Sequence, residues 1–371
     1  MKSSTKLLAV VAIIIIVGVG GGYAAWYFLV APKPNPYQVA IVFATGGLGD
    51  KSFNDGCYAG AINARTTHGV QFTFAEPTEI AQYEGFQRFF ASHQGFIEPY
   101  ELIIGIGFDQ AAAIETVAGE YPSQKFAIVD MYINHTTYPN VASLLFSAAE
   151  GSALVGYIAG NMTTTGELGF VGGLSIPLIW EFAAGYFWGA NVSNPSLGLM
   201  GGAVVPDNAS VAYTNDWTDT NTGKLAADAM YAAGTDIIFA AAGRAGLGVI
   251  ESAKVNNATY GPIWFIGVDS PQMYLGCADP NNPAPPTVGL TSMLKRVDVA
   301  IFEVIKDALG IGGETFVPGF NIYNLANGGV GYEINQALLN LSASLLADVD
   351  DFADDIANGI VTPPIDILWV H

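Results

Sequence analysis

The run Gly46-Gly47-Leu48-Gly49-Asp50-Lys51-Ser52-Phe53-Asn54 follows closely on the apolar stretch Val39-Ala40-Ile41-Val42-Phe43, with only Ala44 and Thr45 between them. Successive apolar residues of this length read as a strand buried on both faces. The glycines then permit positive φ and close backbone approach. The polar cluster falls where a helix should begin, and free N–H groups at a helix start favour an oxygen-rich ligand. An aromatic ring beside hydrogen-bonding side chains suits a flat polar molecule. The same strand–glycine–helix turn is also an ordinary tight connection, so the surrounding sequence has to decide.

Further apolar runs at residues 102–105, 126–129 and 141–145 alternate with longer helix-like segments. A second series follows at residues 168–171, 203–205, 237–240, 263–268 and 288–291. Near-continuous apolar strands separated by helices indicate parallel sheets covered on both faces. Two such series imply two α/β lobes. In such sheets ligands gather at the carboxyl ends of the strands. Asp50, Asp130 and Asp269 all stand just beyond strand-like runs, and so does Ala242-Gly243-Arg244-Ala245-Gly246. Each Asp also has an ordinary reading as a helix cap.

The chain has 371 residues, long enough for two cores, with 51% hydrophobic and 12% charged residues. This is not a disordered composition. A net charge of −20 argues against nucleic acid, whose phosphates would be repelled. The two cysteines, Cys57 and Cys277, read as a pair of independent buried thiols or as one disulfide.

Catalysis finds little support. The four histidines, His68, His93, His135 and His371, form no metal-like cluster in sequence. The turn after the first strand lacks the Gly-Lys-Ser/Thr ending of a phosphate-binding NTPase loop and the G-x-G-x-x-G spacing of a dinucleotide site. Binding without chemistry is the expectation, with no cofactor and no metal.

Residues 7–30 form an uncharged run of 24 residues, and about 20 apolar residues span a bilayer. Lys2 and Lys6 precede it with no acid, which places the N-terminus inside and the rest of the chain outside. A cleaved signal peptide is the rival, although its apolar region is normally about 7–15 residues. Residues 1–30 are therefore expected to be a transmembrane anchor. No Cys follows the run, so a bacterial lipoprotein anchor is not expected, which suggests an archaeal-like membrane. Residues 31–36, Ala31-Pro32-Lys33-Pro34-Asn35-Pro36, form a stiff linker, because proline fixes φ.

Gly-Asp-Lys-Ser-Phe-Asn at residues 49–54 closely resembles the first-strand signature of the basic membrane protein family, solute-binding receptors of ABC transporters. Lys125-Phe126-Ala127-Ile128-Val129-Asp130 resembles its strand ending in Asp. Glu150-Gly151-Ser152-Ala153-Leu154-Val155-Gly156 resembles a glycine-containing helix start, and Gly169-Phe170-Val171-Gly172-Gly173 with Gly185-Tyr186-Phe187-Trp188-Gly189-Ala190 resembles the next strand and helix. Phe265-Ile266-Gly267-Val268-Asp269 and Thr291-Ser292-Met293-Leu294-Lys295-Arg296-Val297-Asp298 complete the series.

The resemblance implies an α/β, two-lobed type I periplasmic-binding-protein fold, each lobe a parallel sheet flanked by helices and the whole preceded by the anchor. Residues 37–146 with about 271–320 are expected in lobe 1, and residues 147–270 with about 321–371 in lobe 2. It further implies that the family's best-understood ligand, a purine nucleoside, binds between the lobes. Phe53 would stack on the base and Asn54 hydrogen-bond the ligand, with Asp50 and Ser52 beside them. Trp217, in Tyr213-Thr214-Asn215-Asp216-Trp217-Thr218-Asp219, matches the second stacking position, usually Phe. Asp130 resembles the acid that recognises the base, and Asp269 with Lys295 the pair that holds the ribose hydroxyls. Gly243 and Arg244 join the site by position.

Plainer readings stand beside these. Phe53 suits a core, Trp217 an exposed interface, and Lys295 a pairing with Asp298. Two departures bear on specificity: many family members carry an Asp nine residues before the stacking Phe, where this chain has Ala44, and Arg244 stands where smaller polar residues are common. The resulting expectation is an extracellular, membrane-anchored receptor that passes a nucleoside to an ABC permease. The rival is a sensory receptor of the same fold that signals through the anchor.

Overall fold

The computed structural model describes residues 33–93, 96–200 and 209–367. Two six-stranded sheets organise it. The chain first lays down β1 (Val39–Val42), α1 (Phe53–His68), β2 (Phe72–Ala75), α2 (Tyr83–Ala91), β3 (Leu102–Gly105), α3 (Ala111–Glu120), β4 (Phe126–Val129) and β5 (Val141–Phe146). It then builds α4 (Ala148–Met162), β6 (Leu168–Gly172), α5 (Pro177–Ser193), β7 (Ala209–Tyr213), α6 (Thr220–Ala232), β8 (Ile237–Ala241), α7 (Gly246–Tyr260), β9 (Trp264–Asp269) and β10 (Gly289–Lys295). Finally α8 (Val297–Ala308) and β11 (Gly319–Tyr323) return to the first sheet, and β12 (Val330–Tyr332) and α9 (Ala343–Ala357) to the second.

The sheet orders are β11-β5-β4-β3-β1-β2 and β12-β10-β9-β8-β6-β7, parallel throughout except for β12 against β10. Side-chain alternation divides each sheet between two cores. Val39 and Ile41 face α1 and α8, packing with Ala61, Ala300 and Ile301, while Ala40 and Val42 face α2 and α3, packing with Phe90 and Ile114. In the second sheet Ile238 and Phe265 pack with α6 and α7, and Phe239 and Ile266 with α4 and α5. The glycine motifs noted in sequence have a packing role on α4 and α5. A Cβ on Gly189 would stand 2.0 Å from the carbonyl oxygen of Ala153, so this close crossing excludes any side chain there.

The fold class is the one expected, but the boundary between lobes is not where the sequence placed it. About 271–320 is expected in lobe 1, yet within that segment β10 pairs with β9, with Ser292 beside Gly267 and Met293 beside Val268. A strand that follows its neighbour in a parallel sheet stays in that sheet, so the chain crosses only after Lys295. Likewise β11 runs to Tyr323 in the first sheet, and the final return to the second comes after it. The strand expected at residues 203–205 lies outside the described residues, as does the anchor at residues 1–30. Among the described residues no helix is long and apolar enough to cross a membrane. Cys57 and Cys277 are both free and buried, so the disulfide alternative is not realised.

Candidate ligand-binding site

Both sheets have the doubly wound order, with the switch points between β1 and β3 and between β6 and β8. Crevices open beyond the carboxyl ends of the strands at such points, and here the two crevices face each other. The cleft between them holds about 720 Å³ of empty space, its open mouth included.

Nine of the ten residues singled out in sequence reach this cleft or its wall: Asp50, Phe53, Asn54, Asp130, Trp217, Gly243, Arg244, Asp269 and Lys295 line it. Ser52 stands behind the wall. Its hydroxyl donates to Oδ2 of Asp269 at 2.5 Å, which joins the turn after β1 to the end of β9. The same two turns are tied by Ser270 Oγ donating to the carbonyl of Ser52 at 3.2 Å and by Gln272 Nε2 donating to that of Lys51 at 2.8 Å. Arg244 Nη2 donates to the carbonyl of Leu48 at 2.7 Å, and Lys295 Nζ to Oδ2 of Asp130 at 2.5 Å. The lobes are therefore fastened over the cleft.

The glycine-rich turn explains Asp50. Its carboxylate accepts from the N–H groups of Ser52, Asn54 and Asp55 and from the amide of Asn54, at 2.8–3.1 Å. Asp50 thus satisfies the open N-terminus of α1; its lone pairs are spent on the turn, and its place in the site is structural. Asn54 Oδ1 accepts from the N–H of Ala44 at 3.1 Å, which holds the end of β1 against the helix.

Asp130 and Asp269 occupy matching positions at strand ends, with φ of 67° and 63°. Left-handed backbone is unusual for a residue other than Gly and is typical of functional turns. No helix starts directly after either one, so the capping reading does not apply. Lys295 pairs with Asp130 and not with Asp298, which is held by Arg296 at 2.9 Å. The ammonium of Lys295 also lies 5.0 Å from the ring centroid of Phe53, 5.1 Å from Phe146 and 5.8 Å from Phe182. Such aromatic faces stabilise a cation.

Trp217 lies in the turn after β7, its indole packed close against Gly173. A Cβ on Gly173 would fall 2.1 Å from Cζ3 of that ring. Phe53, at the first turn of α1, packs on the core and lines the cleft from the other lobe. Burial pushes the Asp269 carboxyl up to about 6, against the pull of Lys295 and the Ser52 hydroxyl. Burial likewise pushes Glu181 up to about 7, opposed by Lys295 and assisted by Asp130. Two buried polar atoms of cleft residues, Asp130 Oδ1 and Arg244 Nε, have no hydrogen-bond partner. Buried polar groups are nearly always satisfied, so such atoms at a cleft are suited to a polar ligand.

Sequence reading missed several lining residues: Phe108 and Asp109 after β3, and Leu178, Ile179 and Phe182 on α5. Phe108 and Asp109 follow an apolar run by the same rule that found Asp130. Among the described residues no cluster of His, Cys, Asp and Glu is suited to hold a metal ion.

A cleft between two doubly wound lobes, with aromatic and carboxylate groups at the strand ends, is suited to hold a small molecule. Residues 37–361 match the family described as ABC transporter substrate-binding protein, PnrA-like. The chain belongs to this family. The PnrA-like proteins bind solutes for ABC transporters and are not enzymes. The chain is 33% identical to the CD4+ T-cell-stimulating antigen of Listeria monocytogenes, over 88% of each chain. It is 30% identical to the ABC transporter nucleoside-binding protein BmpA of Lactococcus lactis subsp. cremoris, over 88% of this chain and 89% of the relative. The crystal structure of an ABC transporter system solute-binding protein from Aeropyrum pernix K1 superposes with a TM-score of 0.74 at 29% identity, over 89% of this chain and 94% of that one.

Proposed function

We propose that this chain binds a nucleoside, a purine nucleoside foremost, between its lobes and delivers it to an ABC permease. In this reading the binding domain is extracellular and residues 1–30 anchor it in the membrane. The observation that carries the proposal is the joint presence in one cleft of Phe53 from one lobe, Trp217 from the other, and the Asp130, Asp269 and Lys295 side chains. Two rings sandwich a base, a carboxylate accepts N–H donors from its edge, and an acid with an ammonium serves the donors and acceptors of a sugar. The nucleoside-binding relative supports the choice of ligand class. The fastened lobes fit the usual logic of such receptors, in which ligand stabilises the closed form by binding it more tightly than the open one.

The test is native mass spectrometry of the purified full-length protein, followed by calorimetry against a panel of nucleosides, free bases and sugars. A carried-over or added nucleoside that binds at micromolar concentration or below supports the reading. Binding of a sugar or another aromatic compound, with no nucleoside bound, overturns it. Recovery of the full-length chain in the membrane fraction supports the anchor, whereas a mature N-terminus near Ala31 overturns it.

A further inference from the structure

We propose that Asp109 sets base specificity, selecting a purine whose ring edge carries two adjacent N–H donors, as guanosine does. This rests on the nucleoside reading above and deepens it. Asp109 lines the cleft just beyond β3. Its Oδ2 accepts from the Tyr83 hydroxyl at 3.1 Å, and that hydroxyl accepts from the N–H of Thr45 at 3.0 Å. Tyr83 is fully buried, so the carboxylate is held in a fixed orientation from below.

Its other oxygen faces the corner beside Phe53. Oδ1 of Asp109, Cβ of Ala44 and Cε1 of Phe53 all lie within 4 Å of one point, where a Cβ on Gly107 would be. A ring stacked on Phe53 therefore has an edge within reach of this carboxylate. At that corner Ala44 presents only a methyl group.

Ion pairing separates Asp109 from Asp130. Asp130 is neutralised by Lys295. Among the described residues Asp109 has no ion pair, while Arg244 is turned to the carbonyl of Leu48. An ionised carboxylate accepts only, and its two oxygens match two parallel N–H donors. The guanine edge supplies a ring N–H and an amino group side by side. Inosine supplies one donor, and adenine sets its amino group beside a ring nitrogen whose lone pair repels the carboxylate. A site built around donors rejects the analogue that lacks them, because a buried acceptor is then left unpaired.

The test is calorimetry of the full-length protein with guanosine, inosine and adenosine, for the wild type and for Asp109→Asn. The Asn side chain keeps the size of Asp and can still accept from Tyr83. Wild-type protein is expected to bind guanosine at least ~10-fold more tightly than adenosine, and Asp109→Asn to lose ~10-fold or more for guanosine while adenosine changes far less. Asp109→Ser is the second variant, and melting temperatures establish that both variants fold. Equal loss for all three nucleosides, no loss at all, or a wild type with no preference for guanosine overturns the assignment of Asp109 and leaves the nucleoside reading standing. A wild type that binds none of the three overturns this assignment together with the choice of a purine nucleoside.

Discussion

Nζ of Lys295 lies 2.5 Å from Oδ2 of Asp130, joining the end of β10 in one sheet to the end of β4 in the other, with side chains only 3% and 6% exposed. Removing one partner of a buried pair leaves an uncompensated charge and costs about 3–5 kcal/mol, whereas removing both is often close to neutral. Lys295→Met should therefore lower the melting temperature clearly. Adding Asp130→Asn to it should restore much of the loss. Strictly additive losses in a thermal-unfolding double-mutant cycle would mean that the two charges are not coupled.

The two rings of the cleft should carry binding and contribute less to stability. Phe53→Ala and Trp217→Ala should each weaken a nucleoside by about 1–3 kcal/mol, the usual worth of stacking on a base. Gly173→Ala should act on the same step from outside the cleft, because its Cβ would meet the Trp217 indole at 2.1 Å. Calorimetry reads the affinity and thermal melting the fold. Unchanged affinity with a large drop in melting temperature would assign both rings to the core.

Legibility differed between the centre and the edges of the sheets. The central strands are buried on both faces, and β1, β3 and β4 are apolar throughout and entirely buried, so uninterrupted apolar runs announced them. The edge strands β2 and β11 went unnoticed because one face meets solvent: Phe320 and Ile322 are 54% and 53% exposed, and the run reads Gly-Phe-Asn-Ile-Tyr. The site shows the same division. Asp130 and Asp269 stood out because each closes an apolar run. Asp109 sits behind a glycine and a phenylalanine, and its importance depends on Tyr83, which comes from a distant helix. Phe182 lies within an apolar helix, where nothing in the spacing separates a cleft residue from a core residue.

Glu181 predicts a pH dependence of stability. Its folded value of about 7 lies above the unfolded value of 4.5, chiefly through burial. An acid raised on folding binds its proton more tightly in the folded state. Its contribution is complete below about pH 4.5 and is lost as pH rises through about 7. Glu181→Gln removes this dependence, so the variant should gain melting temperature relative to wild type at about pH 8 and little at about pH 4. Asp269, raised to about 6, keeps part of the slope in the variant. A pH profile of melting temperature identical to wild type would mean that Glu181 is solvated like an ordinary surface acid.

The sugar end of the ligand provides the most demanding test. Oδ2 of Asp269 is engaged by the Ser52 hydroxyl at 2.5 Å, which orients the carboxylate; Asp269 lines the cleft, and its two oxygens have further lone pairs. In the nucleoside reading these accept from ribose hydroxyls, while Lys295 donates to one of them. A buried acceptor placed for a hydroxyl is left unpaired when the hydroxyl is missing. A nucleoside should therefore bind more tightly than its free base, and a 2′,3′-dideoxy nucleoside should lose about 1–3 kcal/mol. Asp269→Asn keeps the shape and a bond to Ser52 but weakens the acceptor, so it should shrink the difference between nucleoside and dideoxy analogue. Equal affinity of the wild type for the two compounds would remove ribose from the site while leaving the stacking rings, the fold and the family unaffected.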